Sequence, residues 1–340
     1  MKMSESGKLP EAYNESIEKI LNILKHKGRT SYKLAKEAIL SDNIQSKEVY
    51  EAFYYYAENF LEFTPSALMV LACEAVGGES EKTALVGAAI TLFVGAMDIH
   101  DDIIDQSKIK DGRQTLFGKF GKEIALLVGD ALLIKGFTLF QKASYIIQRE
   151  EMIRTMNILQ KAFFEVGDAH ALEIYLKGNV NVSPEDYLRL VSMKSAGVEA
   201  YTKIGALLGR GSQKEIELLG KYGRRWAMLS KIRNDFADLF EPEELKNRMQ
   251  NEILPLPLLY VFKDSAIKKE IIRILSNKHL SQNDIETITD IVFESEHVNT
   301  LKEYMKNLVD EAICYISYLR DSDAKKVLIE FIQLMLESII

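Results

Sequence analysis

The 340-residue sequence predicts an all-α fold, and three observations carry that expectation. Only six prolines occur, and none lies between Pro65 and Pro184. That proline-free span is rich in Ala, Leu, Ile, Lys and Glu, which are strong helix formers. Segments that alternate polar and apolar residues between turn dipeptides, the mark of strands, are scarce. No low-complexity linker and no internal repeat interrupts the chain. The reading is a single helical domain over 11–340, after a flexible N-terminus at 1–10.

Taken in order, amphipathic segments fall near 12–26, 31–41 and 46–63. Pro65 opens the next helix, and Gly77-Gly78 stops it. A long helix spans about 81–106 and ends in acid. A loop with Lys108, Lys110, Asp111, Gly112 and Arg113 follows. Helices are expected near 119–146, 149–177, 184–209, 212–239 and 264–276, with several more to the C-terminus. Asn181-Val182-Ser183-Pro184 supplies a cap and a first-turn proline.

Composition narrows the function. The net charge of −7 argues against nucleic acid as the main partner, because phosphate backbones call for clustered Lys and Arg. Two distant cysteines, Cys73 and Cys314, form no disulfide framework, so a reducing, cytoplasmic location is expected. The longest uncharged apolar run, Ala84 to Met97, has 14 residues. A bilayer span needs about 20, so no transmembrane segment is expected. No P-loop, HExxH, CxxC or GxSxG pattern occurs.

The informative stretch is Asp98-Ile99-His100-Asp101-Asp102-Ile103-Ile104-Asp105. With Asp98 at zero on a helix, Asp101 falls at about −60°, Asp102 at about +40° and Asp105 at about −20°. The four carboxylates share one face and repel each other unless a cation bridges them. Hard oxygen ligands of this kind suit Mg²⁺ that also binds substrate phosphates. A second face carries Lys231, Asn234, Asp235, Asp238 and Glu241, spread over about 120°. Paired with the first, it suggests two helices clamping metal ions.

These residues resemble a known family, the trans-isoprenyl diphosphate synthases (polyprenyl synthetases). Asp101-Asp102-Ile103-Ile104-Asp105 is similar to the family's first DDxxD motif, and Asn234-Asp235-Phe236-Ala237-Asp238 to its second, with Asn at the first place. Leu71 to Gly78 resembles the helix before the first motif. Gly129-Asp130-Ala131-Leu132-Leu133 resembles the GDaLL segment, Lys194-Ser195-Ala196 the KT motif, Gly205 to Gly209 the helix after it, and Leu256-Pro257-Leu258-Leu259 the LPL segment. The resemblance implies an isoprenoid synthase-type bundle around a deep central cavity, acting as a homodimer. It implies Mg²⁺, three ions with substrate bound, held by Asp101, Asp102, Asp105, Asn234, Asp235 and Asp238. Asp101, Asp102, Asp105 and Lys194 become the catalytic set. Lys110, Lys194, Lys231 and Arg233 become cations for the diphosphate of an allylic prenyl substrate. Asp98, Asp168 and Glu241 are further candidates for the metal site. Ala96 and Met97 stand where aromatic residues limit chain length in the family, which implies room for a C20 or longer chain.

The chain also departs from the family. The basic motif that binds isopentenyl diphosphate has no counterpart: no Lys, Arg or His occurs from Glu48 to Glu81. Val94 stands in place of a family histidine, and Lys110 and Asp111 in place of two arginines. Each lost charge-assisted hydrogen bond is worth about 1.5–3 kcal/mol. The expectation is therefore a terpene synthase-like enzyme that ionises a prenyl diphosphate and cyclises or quenches the cation. The alternatives are a chain-elongating prenyltransferase (a geranylgeranyl or polyprenyl diphosphate synthase) and a non-catalytic regulatory subunit of one.

Overall fold

A single 30-residue helix, α1 (Glu11–Leu40), stands where the sequence reading has two shorter ones. Gly28 lies in the gap between them, inside the helix, where it permits close packing. A Cβ there would lie 2.7 Å from the Phe63 carbonyl oxygen. The computed structural model describes residues 11–110 and 112–337, with the side chains of 11–15 left aside. The expected flexible stretch 1–10 and Asp111 lie outside the described residues.

The fold is all-α, as expected. After α1 come α2 (Lys47–Asn59), α3 (Thr64–Ala75), α4 (Ala84–Ile104), α5 (Leu116–Ala143) and α6 (Arg149–Leu176). They are followed by α7 (Pro184–Lys194), α8 (Ala196–Leu208), α9 (Gln213–Asp238), α10 (Pro242–Asn251) and α11 (Leu256–Val261). The last four are α12 (Ser265–Leu275), α13 (Gln282–Glu294), α14 (Glu296–Ser317) and α15 (Asp323–Glu337). Local signals set many ends. The hydroxyls of Ser46, Thr115, Ser183 and Ser281 cap α2, α5, α7 and α13, each satisfying an amide that the helix cannot. The expected helix at 184–209 is two helices, because the chain turns at Ser195. The expected loop after α4 is a small antiparallel hairpin, β1 (Ile109–Lys110) and β2 (Arg113–Gln114).

The described residues pack as two compact units. The first comprises residues up to Gln160, Ala200–Gly220 and Ile316–Glu330. The second comprises Lys161–Glu199, Lys221–Tyr315 and the residues from Phe331 onward.

The first unit is built around α4, which packs against α1, α3 and α5. Val86, Ala88, Ala89, Ile90, Leu92 and Ala96 are each fully buried. The stretch Ser80–Ile104 is long and apolar enough to cross a bilayer, but 61% of that window is buried inside the protein. It is a core helix, and its burial removes most of its apolar surface from water. Glycines set its axial register. A Cβ at Gly129 would lie 2.5 Å from His100 Nε2, and one at Gly136 would lie 2.5 Å from Phe93. Gly205 of α8 approaches the Met69 carbonyl oxygen of α3 so closely that a Cβ would sit 2.1 Å away. Two of the sequence motifs, around Gly129 and Gly205, thus include glycines that close helix packing requires.

In the second unit the buried Ile232, Phe236 and Leu239 of α9 and its extension face inward. Leu256, Leu258 and Val261 of α11 are also buried, and α11 packs on α7 and α13.

Candidate functional site

In the first unit the acidic stretch closes α4. Asp98, Asp101 and Asp102 are half-buried, and Asp105, 9% exposed, is the C-cap residue. The C-terminus of a helix already carries partial negative charge, so carboxylates gathered there raise the demand for a cation. An all-oxygen donor set of this kind fits a hard divalent ion such as Mg²⁺. The hairpin supplies one protein cation. Lys110 keeps contact with solvent, yet Asp98, and after it Asp102, Glu62 and Asp101, hold its ammonium above its ordinary pKa against the opposing effect of burial.

The same hairpin folds back on the end of α2. Arg113 Nη1 donates to the Asn59 carbonyl at 3.5 Å, and the Tyr55 hydroxyl donates to the Gln114 carbonyl at 2.7 Å. A cavity of about 110 Å³ results, lined by Asn59, Glu62, Asp98, Asp102, Lys110 and Arg113 among others. Tyr56 also lines it. Its hydroxyl rests on Gly95, where a Cβ would lie 2.0 Å away. Ala96 is fully buried beside it and Met97 is half-buried. His100 has Nε2 3.3 Å from Asp130 Oδ1.

In the second unit the end of α9 carries the other acidic face. Asn234 is exposed, Asp238 is half-buried and Asp235 is fully buried. Asp235 points inward. Its Oδ1 accepts from the Tyr187 hydroxyl at 3.0 Å and lies 3.0 Å from Arg248 Nη1. Its Oδ2 accepts from the Leu256 amide at 3.2 Å. Asp238 Oδ2 accepts from Arg248 Nη1 at 2.6 Å. Burial raises the Asp238 carboxyl above its ordinary pKa, with Arg248 pulling the other way.

Lys231 stands one turn before Asp235, with Nζ 4.0 Å from Oδ1. Lys194, at the end of α7, is ion-paired with Glu173 of α6. Burial lowers the Lys231 pKa, but Asp235, Glu252 and Glu173 together keep it above the ordinary value. Lys194, Glu173, Lys231, Asp235, Arg248 and Asp238 therefore form one charged network. Arg233 is half-buried, and Asp168 and Glu241 are exposed.

Sequence reasoning missed Glu62, Glu173, Tyr187 and Arg248. Each acts through a partner far along the chain. Tyr187 and Arg248, for example, are 61 residues apart. The only available signal was composition, an arginine ten residues past an aspartate in an otherwise acidic segment.

Comparison with known proteins bears on both acidic faces. A family model described as polyprenyl synthetase matches residues 17–292. A geranylgeranyl diphosphate synthase of Sulfolobus acidocaldarius is 26% identical over 275 residues, covering 77% of this chain and 83% of the relative. A second, from Methanosarcina mazei, is 25% identical over 312 residues, covering 91% and 96%. The crystal structure of geranylgeranyl pyrophosphate synthetase from Pyrococcus horikoshii aligns with a TM-score of 0.81 at 22% identity, over 94% of this chain and 99% of that one. That likeness establishes the isoprenoid synthase fold.

The relatives correct the expectation of cyclisation or quenching. They are named as synthases of a prenyl diphosphate, a product that keeps the group a cyclase expels. The expectation rested on the stretch without Lys, Arg or His from Glu48 to Glu81; in the fold Lys110 and Arg113 line one cavity with Asn59 and Glu62 of that stretch.

Proposed function

This chain belongs to the polyprenyl synthetase family, and from that premise we propose that it is a chain-elongating prenyl diphosphate synthase. Its substrates on this reading are an allylic prenyl diphosphate and isopentenyl diphosphate, and its product is geranylgeranyl diphosphate or a longer homologue. The observation that carries the proposal is the meeting of Lys110 and Arg113 with Asn59 and Glu62 beside Asp98 and Asp102. Two cations stand there next to a carboxylate face, an arrangement that serves two diphosphates better than one.

Asp101, Asp102 and Asp105 in the first unit, and Asn234 and Asp238 in the second, are the oxygens proposed to hold Mg²⁺, with Asp98 as a further candidate. Bound Mg²⁺ would stabilise the leaving diphosphate as the allylic carbon–oxygen bond breaks. In the first unit Lys110 is the cation proposed for the allylic diphosphate, and in the second Lys194, Lys231 and Arg233 are the cations proposed for a diphosphate. Arg113 meets the second diphosphate. Of the two residues read as pocket residues, the half-buried Met97 is the one proposed to bear on product length, while Ala96 is fully buried in the core.

Two finer readings accompany this. The exposed face of α5 carries Leu126, Leu127, Ile134 and Phe137, each between 45% and 66% exposed. At helical spacing they form one apolar stripe, and such a stripe fits a homodimer. Neither Cys73 nor Cys314 is in a disulfide, which fits a reducing cytoplasm.

The test is incubation with C10, C15 and C20 allylic diphosphates and Mg²⁺, with and without isopentenyl diphosphate. Longer diphosphates formed only when it is present support the proposal. Hydrocarbon or alcohol released without it overturns the proposal. Asp101→Ala and Asp238→Ala are expected to abolish turnover.

A further inference from the structure

We infer that Arg248 is a positioning residue for the second acidic face, setting which carboxylate oxygens of α9 are open to a metal ion. The inference rests on the metal-binding reading of that face given above. It goes beyond that reading by assigning different work to the two aspartates.

Arg248 is 2% exposed, so it does not meet a substrate in solution. Every arm of its guanidinium is used. Nε donates to the Ile253 carbonyl at 3.0 Å, and Nη2 to the Tyr187 hydroxyl at 2.9 Å. Nη1 donates to Asp238 Oδ2 at 2.6 Å and lies 3.0 Å from Asp235 Oδ1. Glu252 Oε2 is 3.9 Å from Nε. A planar fork with five fixed N–H directions can hold this geometry, and a lysine ammonium cannot.

The consequences for the aspartates differ. Asp235 has no exposed surface and spends both oxygens on Tyr187, Arg248 and the Leu256 amide. It braces the site and does not ligate. Asp238 has only Oδ2 engaged by Arg248, and its side chain is 21% exposed. The guanidinium thus fixes the carboxylate plane and leaves one oxygen for a monodentate metal bond. Asn234, exposed on the same face, supplies the neighbouring oxygen. Groups that orient a ligand in this way typically change metal affinity by about 10–100-fold when altered.

The test titrates Mn²⁺ into protein saturated with inorganic diphosphate, by calorimetry and by electron paramagnetic resonance, beside thermal melts. Arg248→Lys keeps the charge and loses the fork, and it is expected to weaken Mn²⁺ binding about tenfold or more. Tyr187→Phe keeps the ring and removes one hydrogen bond, and it should weaken binding in the same direction by less. Arg248→Lys with Asp238→Asn should be no worse than Asp238→Asn alone, because the arginine acts through that carboxylate. Lower melting temperatures with unchanged Mn²⁺ affinity in both Arg248→Lys and Tyr187→Phe, while Asp238→Asn weakens binding, would reduce Arg248 to a structural brace and overturn the inference. Unchanged Mn²⁺ affinity in Asp238→Asn would instead remove the metal reading of this face, and the inference with it.

Discussion

Lys194, in the last turn of α7, is ion-paired with the buried Glu173 of α6. A lysine proposed to meet a diphosphate is therefore already matched by a protein anion. Glu173→Gln releases it. The expected result is a KM for the allylic diphosphate lower by a factor of about 3–10, the equivalent of roughly 1 kcal/mol of released pairing. Steady-state kinetics at fixed Mg²⁺ measure this. A raised KM would mean that Glu173 orients Lys194 and does not compete for it.

Glu244 of α10 titrates near neutrality. Burial, with Glu252 and Asp238 nearby, raises its carboxyl to about 7, against the pull of Arg248 and Lys231. A carboxyl raised in the folded state binds its proton more tightly there than in the unfolded chain. Stability from this group is therefore full below its unfolded pKa and falls as pH rises towards 7. The loss is about 3 kcal/mol at most. Glu244→Gln should flatten the pH dependence of urea unfolding between about 4.5 and 7 and stabilise the protein at pH 8. An unchanged slope would show that Glu244 titrates like an ordinary surface acid.

The apolar stripe on α5 makes a separable prediction. Leu127→Glu combined with Phe137→Glu puts two charges on an exposed face. The expected outcome is a monomer by sedimentation equilibrium, with helix content and melting temperature little changed, against a dimer for the unaltered chain. A monomeric unaltered chain would refute the dimer reading directly.

Ala96 and Met97 differ in burial, and so should their variants. Ala96 is fully buried, so Ala96→Phe overpacks the core at a cost of about 1–3 kcal/mol. Met97 is only half-buried. Met97→Phe should leave the fold intact and shift the product to a shorter prenyl chain, read by chromatography of the dephosphorylated products. An unchanged product length would place the chain-length limit elsewhere.

Much of this protein was legible in one dimension. The proline-free span forecast long helices, and the spacing of Asp98 to Asp105 put those carboxylates at one helix end. What failed was inference about cations. The absence of Lys and Arg from Glu48 to Glu81 was weighted as the loss of the isopentenyl diphosphate contacts, whereas in the fold Arg113 reaches Asn59 from 54 residues away. The pairing of Asp235 with Tyr187 and Arg248 was equally invisible, since helical periodicity assigns a face but not a partner. The join of the segments 12–26 and 31–41 into one helix was equally illegible, since the packing of Gly28 against Phe63 depends on a distant residue.

Lys110 and Arg113 are paired positions of one hairpin, anchored to α2 through Asn59 and Tyr55. A one-residue insertion there would move both charges together, without touching the helices that carry the acids. On the proposed assignment of Lys110 and Arg113 to the two diphosphates, exchanging residues 109–114 for those of a relative would alter both charges as one unit and leave the acid-bearing helices intact.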